Sequence, residues 1–181
     1  PLTYAECVIT GESSKEVLLS TYTCHPSMAN DNVSGMVITA ALLKWLASAP
    51  RRYSYRGLFA PETIGALCWL SHHGQLPPYG HYTQRHEFFS LRNRIIAGYT
   101  INNCGDERAW SFLPSRQGDT LADRAARHVL KQPTLLWPLA SPMRFTEYPF
   151  SQRGSDERQC CAPGGDLPVA SVMRSKHGTY P

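Results

Sequence analysis

Residues 3–10 (TYAECVIT) alternate roughly between apolar and polar positions, GESSKE follows, and residues 16–24 (EVLLSTYTC) carry an apolar centre. A period of two predicts two strands joined by a turn, and the continuous apolar run marks the second strand as the more buried. Val37, Ala40, Ala41, Leu43 and Leu46 then recur at helical spacing between Ser34 and Ser48, with Asp31 and Asn32 as capping candidates at the mouth and Pro50 closing the segment. YSYRGLFA (53–60) predicts a strand, and Pro61 with Glu62 opens a short helix in TIGALCWLSHH. Residues 72–92 hold Pro-Pro, two glycines and four histidines without periodicity, which predicts a loop insertion. Residues 94–102 (RIIAGYTIN) form a further buried strand pattern. SFLPSRQGD is turn-rich and reads as a connector, and DTLADRAARHVLKQ (119–132) predicts a helix capped by Asp119 or Thr120. Four prolines make QPTLLWPLASPMRFTEYPF irregular or edge strand, and LPVASVMRS (167–175) is the last strand.

Strands alternating with helices predict an α/β domain in which a mixed central sheet is flanked by helices. In such sheets, sites form beyond the carboxyl ends of the strands. The polar stretch TYTCHPSMANDNVSG (21–35) occupies such a position, and so does Glu62.

The 181 residues suit one core, and 42% apolar with 18% charged residues is ordinary globular usage, away from disorder or coiled coil. The net charge of +4 comes from 18 scattered Lys and Arg, with no basic run or basic helix face. Nucleic acid and anionic membranes are therefore not the expected partners, and a small peptide or amide substrate is. No leader-like segment and no apolar run of membrane-spanning length is present, so a cytoplasmic protein is expected. Six cysteines without a CxxC pair are expected to be reduced, buried thiols. Oligomeric state has no sequence signature here.

His25 stands just after a buried strand and Asp31 six residues on. Imidazole nitrogen and carboxylate oxygen are zinc donors, and a catalytic zinc commonly takes three protein ligands. A loop histidine and a helix-capping aspartate explain the same residues about equally well. Glu62 suits a general base, which needs a carboxylate near a metal but not on it; an acidic residue in a helix's first turn is the alternative. RGSDER (153–158) offers Asp156 and Arg153 as ligand or supporting groups, against the default of a surface turn with local salt bridges. His72, His73, His81 and His86 lack HExxH or HxxEH spacing, and no GxSxG, Walker A or GxGxxG motif occurs, so nucleophilic and nucleotide chemistry rank low.

Taken in order, STYTCHPSMANDNVSG, FAPETIGA, AGYTINNCGD and RGSDERQCCAPGGDLPVASVMRSKHGTYP resemble the bacterial aminopeptidase-like domain family, associated with polysaccharide gene clusters, of the zinc-dependent exopeptidase superfamily. The resemblance spans nearly the whole chain apart from residues 72–92. It implies a zinc-exopeptidase-like fold, metal ligands at His25 and Asp31, and a general base at Glu62. In the wider superfamily a second acidic residue follows the base, where this chain has Thr63, and another ends a central strand near Asn102. Both departures imply one zinc instead of two. The family pattern also continues past Pro181 into a segment carrying another histidine ligand, so residues 1–181 are expected to be a single, incomplete catalytic-domain fragment. Asp156 and Arg153 are then expected to support the site or the substrate's amino terminus.

Two functions remain open on this basis. One is a zinc-dependent aminopeptidase-type hydrolase acting on peptide or amide bonds, with an amidase or deacylase as a variant of the same chemistry. The other is a catalytically impaired remnant serving as a structural or interaction domain, which Thr63, Asn102 and the missing histidine favour.

Overall fold

The computed structural model describes residues 2–73, 91–108, 110–132, 145–152 and 154–176. Seven strands form one mixed sheet: β1 (Ala5–Ile9), β2 (Ser13–Tyr22), β3 (Tyr53–Ala60), β4 (Ile95–Ile101), β5 (Trp110–Leu113), β6 (Phe145–Glu147) and β7 (Val169–Met173), in the order β1-β3-β2-β4-β7-β5-β6. The inner strands β3, β2, β4 and β7 are mutually parallel; β1 and β5 pair antiparallel at either side, and β6 runs parallel to β5 at the edge.

The helices α1 (Gly35–Leu46), α2 (Ile64–His73), α4 (Leu121–Leu130) and α5 (Asp156–Cys160), with the single turn α3 (Leu91–Arg94), cover both faces of the sheet. Strand alternation divides the core accordingly. Leu18, Leu58 and Val169 pack with Trp69 of α2 and Cys160 of α5. Leu19 packs with Leu43 and Leu46 of α1, and Ala170 with Ala122, Ala126 and Leu130 of α4. Burial on both faces explains why β2 reads as a continuous apolar run.

The predicted strands and helices lie within a few residues of the observed ones, with instructive exceptions. SFLPSRQGD is not wholly a connector: its first residues belong to β5, whose four residues are too short to show a period. The edge strand expected in residues 132–150 is β6, while residues 133–144 and most of the 72–92 loop lie outside the described residues. Asp31 and Asn32 do not cap α1; they lie in a preceding π-type turn, Ala29–Ser34, and Ser34 is the N-cap residue. Thr120 does cap α4, in a reciprocal capping box with Asp123. Among the described residues no two cysteines form a disulfide, and Cys160 and Cys161 are buried, but Cys7 and Cys24 are exposed, contrary to the expectation of buried thiols. Among the described residues no helix is long and apolar enough to cross a membrane.

RGSDER departs furthest from its expected surface turn. Ser155, Asp156 and Glu157 are buried at the start of α5. Asp156 Oδ1 accepts the backbone N–H of Thr63 at 2.7 Å, which anchors the turn that follows β3. Thr63 needs such an anchor, since its φ of 61° lies in the left-handed region that a β-branched residue disfavours. Burial pushes the Asp156 carboxyl up to about 7; the Thr63 N–H opposes this shift and the neighbouring Glu62 charge adds to it.

A second buried polar group lies across the sheet. Arg56 of β3 donates to Glu16 Oε2 (2.5 Å) and Oε1 (3.0 Å) of β2 and to Glu6 Oε1 (2.7 Å) of β1, and Trp69 Nε1 of α2 donates to the same Glu6 oxygen at 2.7 Å. These bonds, with Glu16 foremost, hold the Arg56 guanidinium charge more firmly than in water, against the cost of its burial. Burial alone would raise the Glu6 carboxyl, but the bonds from Trp69 and Arg56 outweigh it and hold the group below the usual carboxylate range.

Two measurements test these buried groups. Arg56→Leu leaves Glu16 without its fork of donors and is expected to cost about 3–5 kcal/mol in urea unfolding. Arg92→Ala, which breaks an exposed pair with Asp166, is expected to leave the urea midpoint nearly unchanged. In the metal-free protein, Asp156 keeps a proton in the folded state that the unfolded chain has already lost. Stability should therefore fall as pH rises between the ordinary carboxylate range and about 7, and Asp156→Asn should remove that slope.

Candidate metal centre

Parallel strands that end in register deliver the residues beyond them to the same place. Tyr22 pairs with Ala60, and Thr23 N–H donates to Ala60 O at 3.0 Å, so β2 and β3 stop together. Cys24 and His25 then emerge beside Glu62. Cys24 Sγ is 3.3 Å from His25 Nδ1 and 4.0 Å from Glu62 Oε2. One ligand atom from each of Cys24, His25 and Glu62 lies within 4.8 Å of the other two.

Asp31 reaches the same histidine from the other side. Its Oδ1 is 3.9 Å from His25 Nδ1 and accepts the Tyr22 hydroxyl at 2.5 Å, while the Tyr22 and His25 rings stand 5.4 Å apart. Asp31 is buried and the His25 side chain is 33% exposed, so the pair is rigid on one side and open on the other.

The rest of the ANDNVSG segment is committed to holding this arrangement. Asn32 Nδ2 donates to Thr21 Oγ1 (2.8 Å) and Tyr22 O (2.9 Å), and its Oδ1 accepts Asn103 N–H at 3.2 Å, which ties the end of β2 to the residues after β4. Asn30 Oδ1 accepts Gly105 N–H at 2.7 Å and Ser34 Oγ accepts Cys104 N–H at 2.9 Å. Gly35 allows the close approach: a Cβ there would lie 2.3 Å from Asn32 Oδ1 and 2.5 Å from Ile101 O. The Asp31–Asn32 peptide bond is cis.

His25, Asp31 and Glu62, singled out from the sequence, are thus brought to the carboxyl ends of the inner strands β2 and β3. Asp156 stands behind Glu62 and acts on its turn through Thr63. Arg153 lies outside the described residues. Asn102, where the resemblance implies an acidic ligand, is fully buried at the end of β4 with neither side-chain amide atom hydrogen-bonded. Cys24 was not singled out, because an apolar-flanked cysteine reads as a core thiol; its place directly before His25, past the strand's end, was the available signal. Burial raises the Cys24 thiol above its ordinary range, and the Glu62 and Asp156 charges reinforce the shift. Nitrogen, carboxylate and sulfur donors grouped in this way match the chemistry that zinc accepts.

A curated relative from Clostridium acetobutylicum, named for polysaccharide biosynthesis with an aminopeptidase-like domain, is 39% identical over 177 residues, covering 98% of this chain and 36% of that protein. A solved structure of a peptidase, so titled, from the same organism matches with a TM-score of 0.77 at 35% identity, covering 98% of this chain and 36% of that one. A Zn-dependent exopeptidase from Parabacteroides distasonis shares the fold alone, with a TM-score of 0.52 at 14% identity over 99% of this chain and 66% of its own. The chain therefore spans little more than a third of the first two proteins' length. The family model described as Domain of unknown function (DUF4910) matches residues 1–181, and the chain belongs to that family, with a zinc-exopeptidase-like α/β fold.

Proposed function

We propose that this chain carries the zinc-binding part of an aminopeptidase-type site that hydrolyses peptide or amide bonds. The observation that supports the reading most is the meeting of three segments beyond the carboxyl ends of β2 and β3, with His25 3.9 Å from Asp31 and Glu62 on the adjoining turn. His25 and Asp31 would hold the ion, and residues 1–181 act as one catalytic unit. Neutral Thr63 and Asn102 favour one ion over two. A zinc ion, when bound, supplies Lewis-acid polarisation of a carbonyl and acidifies water.

The chain's own residues would act as follows. Glu62 takes a proton from the attacking water and delivers it to the leaving amine, a role suited to a half-exposed carboxylate. Asp156 holds the Glu62–Thr63 turn from the protein interior, and Arg153 keeps the supporting or substrate-binding role that the resemblance implies. The named aminopeptidase-like domain of the Clostridium relative supports a peptide or amino-acid amide as substrate. Cysteines that form no disulfide among the described residues support a reducing compartment, the cytoplasm. The same Thr63 and Asn102 also favour a second reading, a remnant that keeps the fold and binds metal weakly.

Zinc content and hydrolysis of aminoacyl p-nitroanilides by the full-length protein separate the two. Glu62→Gln is expected to keep the zinc and lose about 10²–10⁴-fold in kcat. His25→Ala is expected to lose the zinc itself, and Asp31→Asn to bind it more weakly. Activity unchanged in Glu62→Gln would sink the assigned role, and a zinc-free, inactive wild-type protein would establish the remnant.

A further inference from the structure

The geometry points to Cys24 as a metal donor: Cys24, His25 and Glu62 form a binding set for a thiophilic divalent cation, sharing His25 with the His25–Asp31 pair. The inference rests on the proposed zinc site and adds a sulfur donor to it. Two donors bound at about 2.0–2.3 Å around a tetrahedral ion stand about 3.3–3.8 Å apart. The Cys24–His25 separation of 3.3 Å and the Cys24–Glu62 separation of 4.0 Å bracket that span. Successive side chains on a strand point to opposite faces. Cys24 and His25 converge because they lie past the end of β2, where the extended backbone has given way to the turn at Ser27, whose φ is 65°. Cys24 is exposed and unpaired, so a cation reaches it without rearrangement of the core.

The two donor sets place Glu62 in different roles. An ion held by His25 and Asp31 leaves the Glu62 carboxylate free to move protons, whereas an ion held by Cys24, His25 and Glu62 takes that carboxylate as a ligand. Binding in the second set displaces the thiol proton to solvent and leaves no base. A soft cation such as cadmium, which favours thiolate, is therefore expected to occupy the site and inhibit, and Cys24 decides between the two modes.

Cobalt(II) titration of the full-length protein, followed by absorption spectroscopy, tests the donor set without reference to turnover. A near-ultraviolet thiolate-to-cobalt charge-transfer band is expected in the wild type and in Asp31→Asn, and is expected to vanish in Cys24→Ser while the visible ligand-field bands persist. Cadmium should bind Cys24→Ser at least ten-fold more weakly than wild type. Ligand-field bands without a charge-transfer band in the wild type would overturn the role of Cys24 and leave the His25–Asp31 site standing. Absence of both kinds of band would overturn the zinc site as well.

Discussion

The side-chain amide of Asn32 is the tie on which the site depends. Two N–H donors go to Thr21 and Tyr22 at the end of β2, and the oxygen accepts from Asn103 beyond β4. All this occurs in a fully buried position, where an unmade bond costs the desolvation of the group, about 1–3 kcal/mol. The turn that presents Asp31 is consequently fixed to two central strands at once. Asn30 and Ser34 extend the same attachment to residues 104 and 105. Asp31 and His25 can face each other at a set distance because their neighbours have used their hydrogen-bonding capacity elsewhere.

Much of this architecture was legible in the residue pattern. Leu43 and Leu46 of α1 face the core as their spacing implies, and the order of strands and helices points to a layered α/β domain. What escaped notice did so for physical reasons. Strand β5 is too short to show a period. RGSDER looks like surface because four of its six residues are charged, and nothing local says that Asp156 will be sealed under α5 to hold a turn 93 residues away in the chain. The π-type turn resembles a helix cap, since Asp and Asn are the residues that caps prefer. At the site, His25, Asp31 and Glu62 could be singled out by type and position, whereas Cys24 could not, because its role rests on a spatial neighbour 38 residues on.

The two buried carboxylate systems behave in opposite ways. Glu16 and Glu6 share Arg56 and pin the edge strand β1 and its neighbour β3 to β2. Asp156 has a single backbone donor and the Glu62 charge nearby, so its burial favours the protonated form. The first arrangement is a fixed ionic joint far from the strand ends. The second couples the protonation of an interior group to the turn that carries the proposed base, which makes the two ends of the sheet electrostatically distinct.

Gly35 has a consequence for how this motif changes over evolutionary time. With Asn32 Oδ1 and Ile101 O where its side chain would be, the position tolerates no larger residue while the helix and β4 keep their spacing. The scaffold residues Asn30, Asn32, Ser34 and Gly35 are thus answerable to folding, and Asp31 to chemistry. A descendant that abandons catalysis can discard Asp31 and His25 yet must retain the surrounding letters to fold. Likeness in the NDNVSG segment is therefore a record of shared architecture, and a histidine at position 25 together with an aspartate at position 31 is the separate mark of the proposed metal centre.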